Sequence, residues 1–272
     1  MTMRQSSSPW PGRYEAAVSL TYDDALPSHL EVVAPLLDDL GLRATFYVPI
    51  DSGLFGSLDL WRKIAKRGNE LGNHTIFHPC RKKKADWPDD AFDLKRYTMK
   101  RLEKELAVAN TLLWNIDGEP HRTFGNTCHD TTIGPDGAEE SMEPILGRLF
   151  MAARGEPSGR IIQPAAANRT NLGCWVVDGP SFEQCKAEID RAVAEGGWII
   201  FCAHRVSDEP GWLTWSRREH RRTLCYLAEK RKQIWTAPVI DVSQYLFTDY
   251  PLRPIGNRAT RLLRRFMGTP FS

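Results

Sequence analysis

The segment VSLTYDDALP, residues 18–27, ends an apolar run on two adjacent aspartates, Asp23 and Asp24. Neighbouring carboxylates repel and must stay hydrated, so a strand leaving a core gains no stability from them. Farther along, GNHTIFHP places His74 and His78 four residues apart, a spacing that can set two imidazoles on one side of a metal. A later apolar run, GGWIIFCAHRV, ends on His204. Two imidazoles and one carboxylate make a three-ligand set that leaves a coordination position for water. The second aspartate and the third histidine are then free to move protons, one as base and one as acid. Each cluster alone has a plainer use: the aspartates as a turn or cap, the histidine pair as coincidence, His204 as a capped or exposed side chain. Their occurrence together favours chemistry.

The elements that must position these groups alternate along the chain. AAVSLTY and RATFYVP are short, apolar and partly β-branched, as buried parallel strands are. Between them Leu30, Val33, Ala34, Leu37 and Leu40 follow helical spacing, with Ser28 as a candidate N-cap, Gly41 as a stop and Pro35 as a kink or late start. Residues 91–114 carry a long helical pattern, and HRTFGNT reads as strand and loop. Residues 131–172 are rich in Gly, Pro and Asn, and read as an irregular insertion around one short helix. A helix over 182–195, the strand WIIFCA, a helix over 217–232 and the strand IWTAPVI follow. This β-α rhythm predicts an α/β fold of one domain, an open or distorted barrel with helices outside. Its active groups belong at the C-terminal ends of strands, where Asp23, Asp24 and His204 fall.

Composition narrows the function. Thirty-six basic against 34 acidic residues give a net charge of +2, so no overall field points to nucleic acid or an anionic membrane. No run approaches the roughly 20 apolar residues of a transmembrane helix, and Ser and Pro interrupt the N-terminus where a signal peptide needs an apolar stretch. The six cysteines show no compact disulfide or zinc-ribbon spacing. The expectation is a soluble, reduced, cytoplasmic protein; its oligomeric state is unreadable. Residues 1–13 read as a poorly ordered arm. Residues 248–272 form a basic tail with interleaved Leu262, Leu263, Phe266 and Met267, a solvated terminal helix or a partner contact.

The order SLTYDD, GNHTIFHP, FCAHRV resembles successive motifs of the polysaccharide deacetylase family, carbohydrate esterase family four, also called the NodB-homology family, over residues 14–247. The resemblance implies a distorted or incomplete (β/α) barrel that uses one divalent metal, usually zinc, to remove acetyl groups from N- or O-acetylated saccharides. Carried over by motif, Asp24, His74 and His78 are the metal ligands, Asp23 the general base and His204 the general acid. Thr75 occupies the family's Ser/Thr position and is expected to hold the histidine loop by a hydrogen bond. One aspartate then fixes the metal, while its neighbour takes a proton from the attacking water.

The middle motif departs from the family. Many relatives carry Arg-x-Pro-aromatic-Gly or aromatic-x-Tyr-Pro-x-Gly; here the corresponding stretch is read as HRTFGNTCHD. In that reading Arg122 orients the base and Phe124 lines the acyl pocket, with His129 and Asp130 as further polar candidates or solvent-facing loop residues. Asp178 is a candidate support for His204. Trp212 and Trp215 either stack on a sugar ring or pack beneath their loop. The basic run CRKKKAD is a solvated loop or an attractor of acidic saccharide. Cys80, Cys128 and Cys202 lie near motif positions and read first as small buried residues. Two rival functions stay open: a related C–N hydrolase of cyclic imides or ureides, and a non-catalytic saccharide-binding pseudoenzyme.

Overall fold

The computed structural model describes residues 8–83 and 88–248. In chain order its main-sheet strands are β1 (Ala16–Asp23), β2 (Thr45–Val48), β3 (Glu70–Asn73), β4 (Phe124–Gly125), β5 (Ala153–Arg154), β6 (Trp175–Val176), β7 (Trp198–Ala203) and β8 (Ile234–Thr236). Every residue of β1 is buried, which is what an apolar, non-alternating strand requires when both its faces are covered. β1 is central: it pairs with β2 on one side and β7 on the other, and its first residues pair with β8. The sheet runs β5-β4-β3-β2-β1-β7-β6, and all its pairings are parallel.

The seam between β5 and β6 is closed irregularly. Leu172 N donates to Ala153 O at 2.8 Å, Gly155 N to Leu172 O at 2.8 Å, and Cys174 N to Glu156 O at 3.0 Å, so the segment leading into β6 bonds to the edge at β5. The result is the distorted, incomplete (β/α) barrel expected.

Helices α1 (Ala34–Leu40), α2 (Leu58–Lys66), α3 (Met99–Asp117), α4 (Glu143–Leu149), α5 (Phe182–Glu195), α6 (Arg217–Glu229) and α7 (Val239–Leu246) complete the fold. α5 has the expected limits because both ends are signalled locally: Ser181 and Gln184 form a capping box, and Gly196 ends the helix at φ 65°. α1 is entered through a π turn, His29–Val33, with Pro35 in its first turn, where a missing N–H costs nothing. Ser28 is not its cap; the hydroxyl accepts from Val206 N at 3.2 Å and ties this turn to the segment after β7. α3 begins at Met99 rather than 91, because Asp89, Asp93 and Thr98 each cap a separate short start.

The 131–172 region contains a small hairpin (132–133 with 140–141), α4 and β5. The described end of the N-terminal arm is packed: Trp10 is buried, its indole N–H donates to Gly196 O at 3.0 Å, and its ring meets Trp235 edge-on. Residues 1–7 of that arm, 84–86 of the basic run, and 249–272 of the basic tail lie outside the described residues. Among the described residues no helix is long and apolar enough to cross a membrane.

Candidate active site

At the end of β1 the chain turns through Asp24 and Ala25, both in left-handed conformation (φ 77° and 51°). Such angles are uncommon for residues other than glycine, and here they bring the carboxylate after the strand toward the histidine loop. β3 ends at Asn73, which wires that loop to α3: its amide donates to Leu106 O and Asn110 Oδ1 while its Oδ1 accepts from Thr75 N at 2.7 Å. Thr75 Oγ1 accepts from His78 N at 2.9 Å, the hydrogen bond expected of it. Thr75 and His78 also have positive φ, 70° and 50°. Glu105 of α3 receives the N–H groups of Ile76 and Phe77.

His74 Nδ1 lies 2.7 Å from Gly125 O. A carbonyl only accepts, so Nδ1 carries the proton and Nε2 presents a lone pair. That carbonyl comes close because position 125 is glycine: a Cβ there would stand 2.7 Å from the Tyr47 ring. Asp24 Oδ1 is 3.5 Å from His74 Nε2 and 3.1 Å from His78 Nε2. The donor atoms of Asp24, His74 and His78 all lie within 4.8 Å of one another, and Asp24 Oδ1 is buried without a hydrogen-bond partner. Converging lone pairs with no proton to share suit a cation, so the three residues fit a divalent metal. Burial pushes the Asp24 carboxyl up, but His74 and His78 beside it outweigh burial and hold it well below the carboxylate range. Burial lowers His74, favouring the neutral, ligating imidazole.

Asp23 points elsewhere. Its Oδ2 is 2.5 Å from Arg154 Nη2, 3.9 Å from His74 Nε2 and 4.0 Å from His204 Nε2. Arg154 is wholly buried, donates also to Thr21 Oγ1 at 3.1 Å, and lies over the Tyr47 ring. Burial alone would raise the Asp23 carboxyl; Arg154, with His74 and His204 behind it, outweighs burial and holds it at about 2. Asp23 Oδ1 has no hydrogen-bond partner among the described residues.

His204 follows β7. Its Nδ1 is 2.9 Å from Asp178 Oδ2, and His29 Nε2 reaches its carbonyl oxygen at 2.8 Å. Burial works against the imidazolium, but Asp178, then Asp23, more than offset it and raise the His204 pKa.

Asp23, Asp24, His74, Thr75, His78, Asp178 and His204 thus come together, while three other expectations, for Arg122, Phe124 and the reduced cysteines, need correction. Arg122 is buried on the far side of β4's start, its guanidinium held by Asp117 and the carbonyls of Leu71 and Glu119. Arg154 takes the place beside Asp23. Phe124 stacks on Phe150 in a core with Leu102 and Leu106 of α3, so it faces the helices rather than an acyl pocket. Trp215 is core, edge-on to His220, whereas Trp212 is 84% exposed. Cys80 and Cys128 form a disulfide, so not all the cysteines are reduced. The described cations of the basic run are also answered by acids: Arg81 by Asp136 and Glu139, Lys82 by Asp90, Lys83 by Asp130. Arg154 was legible in principle. ARGEPSG, residues 153–159, carries Arg, Pro and Gly in the family's order with one residue extra, inside the stretch read as insertion.

Residues 12–126, which include the aspartate pair and the histidine loop, match the polysaccharide deacetylase family. This segment belongs to the polysaccharide deacetylase family. The fold agrees along nearly the whole chain. A putative polysaccharide deacetylase from Mycobacterium smegmatis superposes with a TM-score of 0.60 at 17% identity, covering 90% of this chain and 94% of its own. A family 4 acetyl xylan esterase from Clostridium thermocellum, in complex with a cobalt ion, gives 0.53 at 17% identity over 90% and 96%. Among curated proteins, the uncharacterized protein YlxY of Bacillus subtilis is 21% identical over 186 residues, 66% of this chain. The chain spans about half the length of that relative, 54%. His204, Asp178 and Arg154 lie beyond the matched polysaccharide deacetylase segment, and the barrel brings them to it.

Proposed function

We propose that the protein is a metal-dependent hydrolase that removes acetyl groups from an N- or O-acetylated oligo- or polysaccharide. One observation carries this reading: Asp24, His74 and His78 converge on a common point while Asp23 and His204, each with its own buried partner, flank it. A divalent metal held by those three residues, zinc by preference, supplies Lewis-acid polarisation and makes water acidic enough to attack near neutral pH. Asp23 accepts the proton of the attacking water on Oδ1, the oxygen that Arg154 leaves free. Arg154 keeps Asp23 ionised and fixes its carboxylate plane. His204, held charged by Asp178, delivers a proton from Nε2 to the departing amine or alcohol, because Nδ1 is committed to Asp178. Trp212, exposed beyond His204, offers an aromatic face to a sugar ring.

The imide or ureide alternative rests on the altered middle motif, which lacks its proline, and on the lack of an apparent secretion signal; Arg154 beside Asp23, followed by Pro157 and Gly159, removes the first of these motives. The Cys80–Cys128 bond favours an oxidising compartment over the cytoplasm. The test is acetate release from acetylated xylo- and chito-oligosaccharides, with chelated and zinc-reloaded protein and with Asp23→Ala. Zinc-dependent release, lowered by about 10²-fold or more in the variant, is expected; release at the wild-type rate by Asp23→Ala contradicts the mechanism.

A further inference from the structure

Beside Asp23 two thiols and an imidazole meet. Cys202 belongs to β7 and Cys174 to the seam segment before β6; both are fully buried. His129 reaches them from the turn after β4, with Nδ1 4.0 Å from Cys174 Sγ. The donor atoms of His129, Cys174 and Cys202 all lie within 4.8 Å of one another. We propose that these three residues form a second metal site, for a thiophilic divalent ion such as zinc or cadmium, adjoining the catalytic carboxylate.

Register separates this from a latent disulfide. Trp175 and Val176 pair with Phe201 and Cys202, so Cys174 lies diagonally across from Cys202 on the same face. Two residues along at about 3.3 Å each and one strand across at about 4.8 Å set such diagonal Cα atoms roughly 8 Å apart, beyond the roughly 7 Å that a disulfide spans. Sulfurs around a tetrahedral ion at about 2.3 Å lie roughly 3.8 Å apart, so a small side-chain rotation brings the cluster to that spacing. The third ligand is also built in. Cys128 and His129 both adopt left-handed conformations (φ 52° and 59°), and Cys128 is tied to Cys80, so His129 projects from a stapled, strained turn. His129 is only partly buried and gives the ion a way in. Hydrogen bonding to Cys202, with His129 and Arg154 assisting, favours the Cys174 thiolate, while the same bond and burial push the Cys202 thiol up, so the Cys202 proton leaves only as the ion binds.

Coordination displaces the S–H proton of each cysteine to solvent and takes His129 off the Gly155 carbonyl, which it now meets at 3.0 Å. It also draws on Asp23, whose Oδ2 is 3.6 Å from Cys202 Sγ. An ion in this site competes with water for the base, so excess zinc inhibits. That consequence rests on the proposed hydrolase; the binding does not.

The experiment is a cadmium titration of the full chain with its Cys80–Cys128 bond intact, followed by the ultraviolet thiolate-to-metal charge-transfer band. The band is expected in the wild type, in His74→Ala and in Cys225→Ala, and is lost in Cys174→Ala. Its absence from the wild type, or its survival in Cys174→Ala, overturns the site. X-ray absorption of the cadmium-loaded wild type decides the matter without a variant: sulfur neighbours support the site, and a shell of nitrogen and oxygen alone refutes it. In the acetate assay, Cys174→Ala keeps basal activity and loses an excess-zinc inhibition of roughly tenfold or more. Inhibition of equal size in Cys174→Ala refutes the link to Asp23. No acetate release from any form, with the band intact, refutes the hydrolase and leaves the second metal site standing.

Discussion

Arg154 Nη2 lies 2.5 Å from Asp23 Oδ2, with both side chains buried. The pair joins β5 to the end of β1 across the barrel and leaves one carboxylate oxygen free. A buried pair adds little over an apolar replacement of both partners, but losing one partner strands the other charge. Arg154→Met is therefore expected to destabilise by about 3–5 kcal/mol, and the double variant Arg154→Met with Asp23→Asn to recover part of that loss. Urea unfolding of the three proteins measures it; additive losses would contradict the pairing.

Asp178 raises the His204 pKa, so the imidazolium persists to higher pH than in a free histidine. Asp178→Asn removes that support and lowers the pKa. If the charged form is the general acid, the alkaline limb of the kcat profile moves to lower pH in the variant. An unmoved limb would separate Asp178 from the proton transfer.

The disulfide joins Cys80, beside the histidine loop, to Cys128 across 48 residues. Closing a loop of that size contributes about 2–4 kcal/mol in most proteins. Cys80→Ser with Cys128→Ser is expected to lose stability of that order and to bind zinc more weakly, because the chain carrying His78 is no longer anchored. Calorimetric titration and thermal unfolding check both effects; wild-type zinc affinity in the variant would limit the bond to a structural role.

His29 and His220 are fully buried, and burial holds them at about 4 and about 3. Their folded values lie below the unfolded one near 6.5, so their stabilisation is present above that pH and is lost as pH falls. Each takes away about 1.4 kcal/mol per pH unit between roughly pH 6.5 and its folded value. His204, raised in the folded state, has the opposite sign and loses its contribution as pH climbs past 6.5. Urea midpoints between pH 7 and pH 4 should fall steeply, and less steeply in His220→Gln. A flat profile would contradict the buried neutral assignment.

The sequence displays best what local chemistry determines. α5 carries its own start and stop signals, and its limits were readable. The aspartate pair and the histidine loop lie within short motifs at the ends of β1 and β3, so their meeting followed once the strands were placed. Arg154 escaped because β5 is two residues long, offers no periodicity and lies in a stretch rich in Gly, Pro and Asn; the arginine at 122, nearer the histidine loop in sequence, drew the role instead. The disulfide and the second thiol cluster join residues far apart in sequence, and only the closed seam brings Cys174 to Cys202. Phe124 shows the same limit at a smaller scale, since a two-residue strand does not reveal which face is core.

Zinc retained per chain, after loading with one equivalent and dialysis, is the measurement that bears most directly on the Asp24–His74–His78 centre. Wild-type protein is expected to keep about one ion, and His74→Ala, which removes the lone pair fixed by the Gly125 carbonyl, to keep far less. Equal retention by the two proteins, or none by either, would contradict the metal centre and the hydrolysis proposed to depend on it.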